Sequence, residues 1–126
     1  MMRFFLSSGA ILAGLSVASG AFATHALKAK LDDRALAIFE TGARYQMYHA
    51  IALILVSLLI SRAEFGESLL TASGAAFIVG IVLFSGSLYA LSLTGVKGWG
   101  AVAPLGGTAL MIGWACLAIA AVRWKP

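Results

Sequence analysis

The placement of the charged side chains constrains this chain more than any other feature. Charges fall at Arg3, from Lys28 to Arg44, from Arg62 to Glu67, at Lys97, and at Arg123 and Lys125. Between them lie four charge-free runs, about 4–27, 45–61, 68–96 and 98–122. A helix crosses a bilayer with about 20 apolar residues, within a range of roughly 17–25. Every run reaches that length, and the third exceeds it enough to tilt or to extend into the interface. Composition agrees: of 126 residues 61% are hydrophobic, only nine are basic and five acidic, and the mean hydropathy is +0.97. Soluble domains carry about 25% charged residues. So few charges cannot supply the polar skin of a small globule, and disorder needs the opposite bias. The expected fold is all-α, a polytopic four-transmembrane-helix bundle, with residues 1–126 forming a single transmembrane domain.

Four spans put both termini on one side, A, together with the 62–67 turn. Side B carries the 28–44 segment and the turn at Lys97. Arg3, Arg62, Arg123 and Lys125 on side A balance Lys28, Lys30, Arg34, Arg44 and Lys97 on side B. The positive-inside rule needs an excess that this count lacks. The tight placement of Lys28, Lys30 and Lys97 against span ends leans toward side B as the cytoplasmic face. The pI near 9.7 comes from these flanking cations. No basic patch with interleaved aromatics points to nucleic acid. Ala21-Phe22-Ala23 resembles a signal-peptide cleavage site, but the run from Phe4 to Leu27 is longer than a usual h-region, and it is read as a retained span. A single cysteine, Cys116, makes neither an intrachain disulfide nor a zinc quartet.

The 62–67 and 95–98 linkers are tight turns. Only 28–44 has room for structure of its own. Asp32 is a plausible N-cap with Asp33 in the first turn. Leu31, Ala35, Ile38, Phe39 and Gly42 share one helical face, and Asp33, Ala37, Glu40 and Arg44 the other. This pattern predicts an amphipathic helix within 31–44, lying in the interface between spans one and two. Small residues punctuate the spans: Gly9, Ala10, Ala13, Gly14 and Ala18, then Gly80, Gly86 and Ala90, then Gly106, Gly107 and Gly113. They permit close helix packing inside the bundle, or alternatively a homo-oligomer interface. Gly14 with Ser19-Gly20 recurs as Gly80 with Ser85-Gly86, a faint echo of two parallel hairpin repeats.

Polar side chains are lopsided. Span one ends on Thr24 and His25, span two begins with Arg44, Tyr45, Gln46, Tyr48 and His49, and span three approaches side B with Ser85, Ser87, Tyr89, Ser92 and Thr94. Polar groups at membrane depth tend to face the bundle interior. They predict one cluster in the B half, from His25, Arg44, Tyr45, Gln46, Tyr48, His49, Ser85 and Tyr89. Two histidines are too few for a metal site, and no acid sits beside either to make a Ser-His-Asp arrangement. No catalytic residue, metal or cofactor is therefore expected. Interface belts of aromatic residues account for several positions: Phe4, Phe5, Phe65 and Trp124 on side A, and Tyr45, Tyr48 and Trp99 on side B. Arg44 is expected to be tied down near side B, with Glu40 one turn away. His49 is expected to be neutral and hydrogen-bonded to Tyr89 or Ser85, at a depth close to that of His25.

Gly20-Ala21-Phe22-Ala23-Thr24-His25-Ala26-Leu27 and Phe39-Glu40-Thr41-Gly42-Ala43-Arg44-Tyr45-Gln46-Met47-Tyr48-His49-Ala50 resemble the bacterial domain-of-unknown-function 423 family. Phe84 to Leu91, Pro104-Leu105-Gly106-Gly107 and Gly113-Trp114 match its later blocks. Ala23-Thr24 departs from an expected Gly-Ala and changes no ionisable group. The resemblance covers essentially the whole chain. It implies a small multi-spanning bacterial inner-membrane protein with eukaryotic relatives, and it carries no activity. Two functional readings follow. One is a non-enzymatic structural protein that docks membrane lipid or a partner. The other is a small transporter or channel component built around His25, Arg44, His49 and Tyr89. The apolar 50–56 stretch argues against a continuous path for the second.

Overall fold

A computed structural model describes residues 1–64 and 66–124. The belt residue Phe65 and the flanking cation Lys125 lie outside the described residues. Four helices carry the chain: α1 (Met2–His25), α2 (Asp33–Ile60), α3 (Glu67–Thr94) and α4 (Trp99–Val122), with a 3-10 turn at Leu27–Ala29. All four are long and apolar enough to cross a membrane. Among the described residues there is no strand. Large apolar side chains such as Ile11, Val17, Leu58, Val82, Leu105 and Met111 point outward, as they do where the surroundings are hydrocarbon.

Consecutive helices run antiparallel. Gly9 of α1 meets Ala50 and Ile54 of α2, whereas Ser16, further along α1, meets Ala43. The main interfaces are α1–α2, α2–α3 and α3–α4, so α1 and α4 flank a central α2–α3 pair. Glycine sets the closest approaches. A Cβ on Gly106 would run into the Phe84 backbone, one on Gly80 into Leu110, and one on Gly113 would sit 2.6 Å from the Phe77 ring. Gly9 and Gly74 likewise admit α2 and Phe5. Gly14 and Gly86 instead have nothing within 4 Å. The two halves of the internal echo therefore differ: Gly14 faces out while its counterpart Gly80 is packed.

The helix ends follow from local chemistry. Asp32 caps α2, its Oδ1 accepting from Ala35 N at 2.8 Å. Gly66 and Gly95 bound α3 at φ +82° and +69°, left-handed values that suit glycine. At the C-terminal end, Gly95 N donates to the Leu91 carbonyl at 2.9 Å, an αL cap.

One expectation is corrected. Residues 31–44 do not form a separate interfacial helix. From Asp33 onward they are the first three turns of α2, continuous with its apolar half. The predicted faces hold, since Phe39 and Gly42 are buried while Asp33, Ala37, Glu40 and Arg44 are exposed. What differs is the direction of the axis. Ser16 Oγ donates to the Ala43 carbonyl at 2.6 Å and Ser85 Oγ to the Gly42 carbonyl at 2.7 Å, which locks these turns upright between α1 and α3. A second correction concerns Phe5. It is almost wholly buried against Gly74, in the core and not in a belt.

Candidate site: a polar layer and a lateral cleft

Two apolar clusters fill the bundle. Toward side A lie Phe5, Leu53, Val56, Leu70, Phe77 and Ile81. Toward side B, Ala23, Leu27 and Phe39 pack with Tyr89. Between them runs a buried polar layer with two nodes.

Gln46 is the first node. Its Nε2 donates to the Leu12 carbonyl of α1 at 2.8 Å, and its Oε1 accepts from Tyr89 Oη of α3 at 2.7 Å. One amide thus ties three helices together. The donor must be the NH2 and the acceptor the carbonyl oxygen, because Leu12 offers only an acceptor there. Ser16 and Ser85 complete this node through their bonds to α2 carbonyls.

His49 is the second node. Its Nδ1 lies 2.6 Å from the Tyr45 carbonyl one turn back, and its Nε2 lies 3.0 Å from Trp114 Nε1 of α4. Indole N–H only donates and a carbonyl only accepts. The imidazole is therefore the neutral tautomer with its proton on Nδ1, fixed from both ends. Trp114 and Phe77 pack edge-on at 5.0 Å, and both rings surround the imidazole. Among the described residues no buried side-chain nitrogen or oxygen lacks a partner, as a dry interior requires.

Beside His49 a cleft of about 680 Å³ opens between α2 and α4. Tyr45, Tyr48 and His49 form one wall, Pro104, Met111 and Trp114 line the other, and Phe84 lies between them. Thr108 turns its hydroxyl back to the Pro104 carbonyl at 2.9 Å, which leaves the wall nearly apolar.

The structure divides the expected cluster. Gln46, His49, Ser85 and Tyr89 enter the polar layer. Tyr45 and Tyr48 are partly exposed and line the cleft. His25 is exposed at the end of α1, and Arg44 is exposed on the outward face of α2. Neither joins the layer. Glu40, one turn away on the same outward face, is exposed as well. The shared depth of the histidines is corrected too. His49 is level with Gly9–Ala10 of α1, because Gly9 touches Ala50. That is some fifteen residues from His25, roughly 22 Å along the axis at about 1.5 Å per residue. The cause is the earlier start of α2, which carries His49 past mid-helix. The partner of His49 is also neither Tyr89 nor Ser85. It is Trp114 of α4. An indole N–H deep inside a span, needing an acceptor, was the available signal.

Proteins similar to this chain are named membrane proteins. The sequence model of the family described as "Protein of unknown function (DUF423)" matches residues 19–107. The UPF0382 membrane protein YwdK of Bacillus subtilis is 44% identical over 123 residues, covering 98% of this chain and 99% of the relative. A UPF0382 membrane protein of Haemophilus influenzae is 39% identical over 127 residues, covering 99% and 98% respectively. No solved structure matches the chain. With four helices fit to cross a bilayer and relatives that match it end to end, this membrane protein belongs to the DUF423 family.

Proposed function

We propose that the protein is a non-enzymatic protein of the bacterial inner membrane that holds the acyl part of a membrane lipid in the α2–α4 cleft. The cleft itself carries this reading. It is nearly apolar, it opens sideways at the level of His49, and its volume of about 680 Å³ falls within the range of roughly 300–1,000 Å³ usual for ligand pockets. Hydrocarbon chains are the medium at that depth. The lining holds no carboxylate, cysteine or lysine, and its one imidazole is engaged at both nitrogens. A group so occupied is poorly placed for acid–base work. The helical bundle suits the inner membrane, since outer-membrane spans are β-barrels.

A transporter reading has less support. The polar atoms of Gln46 and His49 are taken up within the bundle. Toward side A the space is filled by Leu53, Val56 and Phe77, all wholly buried. The buried serines there, Ser57 and Ser73, spend their hydroxyls on the Ile54 and Gly113 carbonyls.

Native mass spectrometry of the detergent-purified chain tests the lipid reading. The wild type is expected to retain about one lipid, and Gly107→Trp, which fills the cleft, to lose it while keeping its melting temperature. Equal retention by both proteins, or none by the wild type, would remove the cleft as a lipid site.

A further inference from the structure

Arg44 and Glu40 stand where the chain alone has no use for charge. Two hydrogen bonds give the depth of Arg44. Ala43 is level with Ser16 of α1, and Gln46 with Leu12. Arg44 therefore lies beside residues 12–16, at least nine residues short of the end of α1 at His25. On α3 its neighbour Gly42 is held by Ser85, nine residues before Thr94. At about 1.5 Å per residue, nine residues are roughly 14 Å. The 24 residues of α1 span about 36 Å, against a hydrocarbon core of about 30 Å. If all the excess projected on side B, the Arg44 backbone would still lie about 8 Å inside the core. Glu40 is one turn nearer side B on the same outward stripe, which continues through Ile51, Leu55 and Leu58. Between α1 and this stripe runs a groove of about 310 Å³, floored by Ser16 and Gly20 and edged by Thr24, Glu40, Arg44 and Met47.

Ionisable groups at membrane depth face a bundle interior or a wet cavity and pair with one another. Here both are exposed on a face of α2 turned away from their own bundle. We propose that this α1–α2 face is the contact surface for a second copy of the chain, in which Glu40 of each copy pairs with Arg44 of the other.

The charge pattern selects this occupant. An acid and a base one turn apart make a self-complementary patch, and a two-fold axis along the membrane normal brings each acid to the other copy's base twice. The axis keeps both copies at equal depth, and the long arginine side chain covers the one-turn offset. A lipid headgroup fits less well. It would have to descend below the headgroup layer to meet Arg44, and a phosphate would leave Glu40 unmatched. Space is available too, since a Cβ on Gly20 would meet nothing within 4 Å. This face is distinct from the α2–α4 cleft, so the pairing does not depend on lipid occupancy there.

Charge reversal tests the pairing. The full chain is reconstituted in lipid bilayers at low protein-to-lipid ratio, and copy number is counted by single-molecule photobleaching. The wild type is expected to be dimeric. Glu40→Arg and Arg44→Glu alone set like charges against each other and should weaken dimerisation at least tenfold. The double variant E40R/R44E restores the pairs and should restore the dimer. Cross-linking in membranes keeps the test decisive if a single variant fails to insert. In a Cys116→Ser background, Met47→Cys should form a disulfide between copies and Leu105→Cys, on α4, should not. A monomeric wild type, a dimer indifferent to either single reversal, a double variant that stays monomeric, or cross-linking at 105 in preference to 47 would each overturn the proposal.

Discussion

Gln46 binds α1, α2 and α3 through one amide, so its loss cuts two interhelical bonds at once. Gln46→Leu keeps the volume but leaves Tyr89 Oη without its acceptor and takes the second donor from the Leu12 carbonyl, which keeps its bond within α1. An unsatisfied buried polar group costs about 1–3 kcal/mol, and a fall of several degrees in melting temperature in detergent is expected. Adding Tyr89→Phe removes that orphan, so the double variant should lose less than the sum of the singles, the mark of direct coupling. Strict additivity would show that the amide is not shared. Trp114→Phe keeps the ring packing on Phe77 but leaves His49 Nε2 without its donor. Interhelical hydrogen bonds in membranes average about 0.6 kcal/mol and reach about 1.7. Trp114→Phe should therefore lower thermal stability by more than Trp99→Phe, at an indole of similar exposure that does not meet His49; a melting temperature that responds equally to both would contradict the pairing. At this scale the sequence showed which residue types need partners, and it found Gln46, His49, Ser85 and Tyr89. It could not say which helix supplies each partner. Periodicity describes one helix at a time, and the partner of His49 is 65 positions away.

At the scale of elements, the three late glycines are not equivalent. Gly106 meets the Phe84 backbone directly, whereas the nearest atom to a Cβ on Gly107 is 3.8 Å away. Gly106→Ala should therefore force α3 and α4 apart, an overpacking cost of about 1–3 kcal/mol, while Gly107→Ala should be nearly neutral. Thermal melts of both variants in one detergent check this, and similar losses would mean that small size at 106 is not what sets the helix spacing. The α2 helix illustrates the other limit of local reading. The Asp32 cap and the two faces of 33–44 were legible, because capping and amphipathicity are local. The orientation of those turns was not. It depends on serines of α1 and α3 reaching α2 carbonyls, contacts with no trace in the 28–44 segment itself.

For the whole molecule, an even number of spans requires both ends of the described chain on one face. In a Cys116→Ser background, cysteines at positions 2 and 123 should be labelled by an impermeant reagent from the same side, and a cysteine at Lys97 from the opposite one. Labelling of 2 and 123 from opposite sides would break the four-span topology. The same topology explains why the polar layer sits between two apolar clusters. α2 crosses the full height of the bundle, so residues near its charged start are carried to mid-depth.

The sequence alone determined the number of spans and the membrane as solvent. These follow from where charges are absent, and the cost of a charge in hydrocarbon makes that signal nearly independent of packing. It also showed which residue types need a partner when buried. Only the tertiary structure decided where α2 begins to count as bundle, and with it the depth of Glu40, Arg44 and His49. Charges at the start of a helix read as an exit from the membrane. Neighbouring helices nevertheless hold those turns upright, through bonds from Ser16 of α1 and Ser85 of α3 to α2 carbonyls and from Gln46 of α2 to Leu12 of α1, long-range pairings that no single window of sequence contains.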